Sequence, residues 1–101
     1  MSDTTTRIAA IRAREQAATP SHWGTHYDGN GTYYISAGLR PTPAGTVCDA
    51  VVAEVHGEHG DSQTYRDARF IADAREDIAF LLDRVAELEA ALAATHHTSQ
   101  P

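Results

Sequence analysis

At 101 residues, 42% hydrophobic and 22% charged, the chain suits one small globular domain and is too rich in apolar residues for a disordered one. Its net charge of −6 is uneven: residues 1–45 carry four Arg against three acids (+1), and residues 46–101 carry four Arg against eleven (−7). The acidic half disfavours nucleic-acid binding, and the single Cys48 excludes an internal disulfide and any multi-Cys metal site. No stretch reads as a secretory leader or is apolar enough to span a bilayer, so no membrane association is expected, and a cytoplasmic location is.

Residues 5–18 read as a short Ala-rich helix, capped by a Thr among residues 4–6 and ended at Thr19-Pro20, because the residue before proline avoids the helical region. Ile8 and Ile11 give it only a narrow apolar stripe, so it needs a surface to pack on. From Trp23 the period falls to two. "WGTHY" and "TYYIS" flank Asp28-Gly29-Asn30-Gly31, a tetrad suited to positive φ, and predict a β-hairpin. Pro41 and Pro43 lack donors, so "GLRPTPAG" is expected to be a loop. "TVCDAVVAEV", residues 46–55, is apolar on nearly both faces and predicts a central or covered strand.

A long helix is predicted over residues 64–94, with Thr64 and Asp67 approximating a capping box. Ile71, Ala74, Ile78, Leu81, Val85, Leu88 and Leu92 recur at alternating spacings of three and four. With Ile71, Ile78, Val85 and Leu92 at heptad position a and Ala74, Leu81 and Leu88 at d, the pattern favours a parallel two-stranded coiled coil, Arg84 pairing with Glu89 across it. An amphipathic helix lying on its own sheet shows nearly the same stripe. Phe70, Phe80 and Leu82 widen it, which suggests that the first half covers the sheet and the second half meets a neighbour. Residues 96–101 are expected to form a flexible tail.

Two segments, "IRAREQAATPSHW" (Ile11–Trp23) and "DARFIADAREDIAFLLDRVAELEA" (Asp67–Ala90), cover 37 of the 101 residues. Together they resemble a family of small, mostly uncharacterised proteins of actinobacterial phages and prophages: an Arg-rich helix ending Ala-Ala-Thr-Pro before a Trp, and a Phe-Ile-Ala-x-Ala-Arg helix running into a Leu-rich one. The chain departs from that pattern at Ser21-His22, where Gly-Pro is usual, and at Ala79, where Pro is usual; the second change favours a continuous helix. The resemblance implies a phage accessory protein in the host cell, of a kind that often serves host takeover or evasion of defence, and it carries no catalytic residues over.

Little else in the sequence points to chemistry. His56-x-x-His59 flanks glycines at a turn and does not place two ligands on one helix face, so neither a metal nor a cofactor is expected. Cys48 lies in an apolar strand, where a thiol is ordinarily packing, and the paired acids Glu76-Asp77 and Glu87/Glu89 lie on a solvated face. Trp23, Tyr33 and Tyr34 with Arg40 form the candidate binding cluster, Tyr33 and Tyr34 pointing to opposite faces of the hairpin. The simpler reading, which weighs more, is that the same rings fill a small core and its rim.

The expectation is therefore a single α+β domain over residues 1–95: a short N-terminal helix (5–18), an antiparallel sheet of about three strands (23–56), and a long amphipathic C-terminal helix (64–94) with coiled-coil character. The expected function is non-enzymatic, that of a homo-oligomer, preferably a dimer, joined through Ile71, Ile78, Leu81, Val85, Leu88 and Leu92. It would bind a host protein and inhibit a host defence system. A module that sequesters a small anionic ligand such as a signalling nucleotide is the alternative. A DNA-associated regulator using Arg7, Arg12 and Arg14 comes third.

Overall fold

A computed structural model describes residues 3–58 and 60–98, with side chains as far as residue 95. The chain is α+β: a short N-terminal helix, a small antiparallel sheet of three strands, and a long C-terminal helix. Helix α1 (Asp3–Ala17) stops where expected, the Ala18 amide bonding back to the carbonyls of Arg14 and Glu15 just before Thr19-Pro20. Strands β1 (Trp23–Tyr27) and β2 (Thr32–Ala37) form the predicted hairpin, with Trp23 opposite Ala37 and Tyr27 opposite Tyr33. Its turn is fixed by Asp28, whose Oδ1 accepts from the amides of Asn30 (2.7 Å) and Thr32 (3.1 Å), while Gly29 and Gly31 take φ of 83° and 96°.

Residues 38–47 depart from the expected loop. β3 (Arg40–Thr42) and β4 (Gly45–Val47) pair as a small hairpin, Pro41 opposite Thr46. Both strands are edges of a two-stranded ribbon, and there a proline without a donor is tolerated. The run at residues 46–55 is also divided. Cys48-Asp49 break it, the Asp49 amide bonding to the Ala37 carbonyl at 2.9 Å, and only Ala50–His56 continues as β5. The order is β1-β2-β5, so the Val-rich strand is an edge strand and β2 is the central one. A register shift opposite Ile35/Ser36 leaves Val52 as an extra residue in β5. Val52 and Val55 pack toward the core, while Val51 remains 54% exposed on the other side.

Helix α2 (Ser62–Thr98) starts earlier than expected and includes residues 96–98, which the predicted tail contained; 99–101 lie outside the described residues. Its cap is Asp61, not Thr64. Asp61 Oδ1 accepts from the Gln63 amide, and the Thr64 hydroxyl donates to Asp61 Oδ2, both at 2.9 Å. The sheet is covered by a stripe of mostly small residues: Ala68 and Ala72 are fully buried against Ile35, with Trp23, Tyr33, Val52, Ala53 and Val55 around them. Thr64 and Leu82 are buried farther along the same stripe. Small side chains let the helix axis come close to the sheet, which gives a thin core.

α1 lies against α2 and is held mainly by Arg75. Its Nε donates to the Thr19 carbonyl at 3.0 Å, its guanidinium pairs with Glu15 at 3.4 Å, and it lies 5.7 Å from the Trp23 ring centroid. Trp23 Nε1 donates to the same Thr19 carbonyl. Arg12 reaches Asp83 at 3.1 Å. The molecule extends 66 × 29 × 19 Å, with a radius of gyration of 18.9 Å, against roughly 13 Å for a compact domain of this length. A helix of 37 residues is about 55 Å long and accounts for that elongation. Every residue from Ala86 to Thr95 is exposed.

Candidate interaction surfaces

The heptad seam is not the stripe that covers the sheet. At 3.6 residues per turn, the row Thr64–Ala68–Ala72–Arg75–Ala79–Leu82 and the row Ile71–Ala74–Ile78–Leu81–Val85–Leu88–Leu92 are centred roughly 100° apart around α2. The first is consumed by the fold. The second stays open: Ile71 and Ile78 are exposed, Leu81 57%, Leu88 54% and Leu92 58% so, and Phe70 beside them 71%. Val85 is half-buried. Large apolar side chains exposed in a row are the kind of surface on which interactions form.

In its N-terminal half the seam forms the floor of a groove of about 560 Å3. Ile71, Ala74 and Ile78 line the floor, Ile11 and Arg14 of α1 with Ala18 just beyond it form one wall, and Trp23 and Phe70 contribute beside them. The lining is predominantly apolar. Among the described residues no other element flanks the seam C-terminal to Val85, and Leu88 and Leu92 project from a bare helix.

The aromatic cluster is divided by the sheet. Trp23 and Tyr33 lie on the face beneath α2 and pack on the core. Tyr33 also contacts Tyr27 (4.5 Å between centroids) and Tyr65 (5.6 Å). Tyr34 is on the opposite face. There it lines a cleft of about 230 Å3 with His26, Val51 and Cys48, which the β3–β4 hairpin partly roofs. That hairpin comes close through Leu39, which lies 3.1 Å from where a Cβ on Gly24 would stand. Arg40 is at the base of the hairpin, where its guanidinium donates to Asp49 (2.9 Å) and to the Gly38 carbonyl (2.7 Å). An anion at Arg40 would have to displace that carboxylate. The four residues therefore do not form one site.

Of the N-terminal arginines, Arg12 is paired with Asp83 and Arg14 borders the groove. His56 bonds Thr32 Oγ1 at 3.0 Å and lies 3.4 Å from Glu54, His22 pairs with Glu76, and His59 is outside the described residues. Among the described residues no three His, Cys, Asp or Glu side chains converge as metal ligands, and no helix is long and apolar enough to cross a membrane. The groove escaped sequence reading because it depends on where α1 docks. Arg75 fixes that docking, and nothing local in the sequence sets it apart from the other arginines. No family model, curated relative or solved structure matches the chain.

Proposed function

We propose that this chain is a self-associating binding protein that acts without catalysis, two copies joining through the α2 seam. One observation carries the reading: after α2 has covered the sheet, five large residues of the heptad row, Ile71, Ile78, Leu81, Leu88 and Leu92, remain exposed, with Ala74 and Val85 half-buried between them. A chain this small gains a second apolar interface by pairing, which its thin core otherwise lacks. The resemblance to phage accessory proteins extends the proposal to biology. The assembled protein would bind a host factor in the cytoplasm and interfere with host defence, presenting Tyr34 on the outer sheet face for recognition. The test is sedimentation of the wild type beside Leu88→Asp. The wild type should sediment as more than one chain and Leu88→Asp as one, with an unchanged circular dichroism spectrum, since Leu88 lies outside the folded core. Equal sedimentation of the two would remove the seam from the account.

A further inference from the structure

We infer that the second copy docks antiparallel, its bare C-terminal half lying in the groove between α1 and α2. This rests on the self-association proposed above and replaces the parallel pairing that the a and d residues suggest. The structure reveals what the heptad pattern does not: one half of the seam is walled by α1 and the other half is bare.

Three complementarities favour one register, in which only Leu92 of the seam falls opposite a charged residue, the partner's Asp67. In an antiparallel pair each a residue meets a d residue of the other helix. Placing Ile71 opposite the partner's Leu88 also places Ala74 opposite the partner's Val85, and Ile78 opposite the partner's Leu81. The three floor residues thus each receive one side chain from the partner's C-terminal half, and the smallest, Ala74, receives a larger Val. Along one flank, exposed Phe70 falls against the partner's Ala91, a large residue beside a small one. Farther along that flank, Asp77 meets the partner's Arg84, and the two-fold axis repeats the pair. Among the described residues Arg84 bonds only the exposed Glu87, three residues away on its own helix (3.0 Å), so it can turn to Asp77 at little cost.

A parallel register places groove against groove. Ala74 would face Ala74, leaving the floor of a 560 Å3 groove short of side chains, and Leu88 and Leu92 would pair beyond any supporting wall. The sheet-covering row and the seam lie roughly 100° apart around α2, so the sheet and the partner helix approach α2 from different sides.

The test places a nitroxide spin label on Ala90→Cys in a Cys48→Ser background. Ala90 is exposed and off the seam, so the label disturbs neither the fold nor the interface. The antiparallel register offsets the two labels along the helix axis by about 32 Å at 1.5 Å per residue, while a parallel pair offsets them by about zero. A dipolar distance well above 30 Å supports the inference. A distance near 20 Å, with the dimer mass retained, overturns the antiparallel docking and leaves self-association standing. An absence of dipolar coupling with a one-chain mass overturns both.

Discussion

Gly57 shows how much a single position can control here. A Cβ at this residue would lie 1.8 Å from Thr64 Oγ1 and 2.9 Å from Thr64 Cβ. Thr64 is itself buried, β-branched and bonded to Asp61, so it cannot turn aside cheaply. Gly57 thus lets the strand-to-helix connection pass close to the first turn of α2. Gly57→Ala is expected to cost about 1–3 kcal/mol by overpacking. A urea denaturation midpoint unchanged from wild type would show that the contact is slack. Arg75 acts at the same scale but across elements. It and Glu15 are only 16% and 15% exposed, and together with Trp23 they bind the end of α1 to the start of β1 and the middle of α2.

At the level of elements, α2 depends on how it begins. The carboxyl of Asp61 is held below its usual range, first by the Gln63 amide and next by the Thr64 hydroxyl. A carboxyl depressed in the folded state contributes stability that is fully present above its unfolded value, 3.8, and is lost as pH falls through the lower folded value. Asp61→Asn is therefore expected to lower the melting temperature at pH 7 and to narrow its difference from wild type below about pH 3.5. A difference that stays constant from pH 7 to pH 2 would contradict that account of the cap. Elements set by local chemistry were legible in the sequence: the Asp28–Gly31 turn, the stop at Thr19-Pro20 and the long helix. Features that depend on distant contacts were not. The prolines of residues 40–47 read as a loop because nothing local shows that both strands are edges. The run at 46–55 read as central because its apolar residues do not reveal the break at Asp49 or the exposure of Val51. The sheet-covering stripe was missed because Ala68 and Ala72 weigh little beside Ile, Leu and Phe, although their small size is what admits the sheet.

In the whole molecule, these features separate two tasks along one helix. The small-residue row of α2 holds the sheet, Arg75 anchors α1 alongside, and the large-residue row is left facing solvent, walled by α1 in its first half and bare at Leu88 and Leu92 among the described residues. Self-association is the central claim, and the mass of the particle in solution tests it most directly. Multi-angle light scattering of the wild-type chain at micromolar concentration is expected to give at least twice the 10.9 kDa chain mass. A mass of one chain throughout that range would contradict the account.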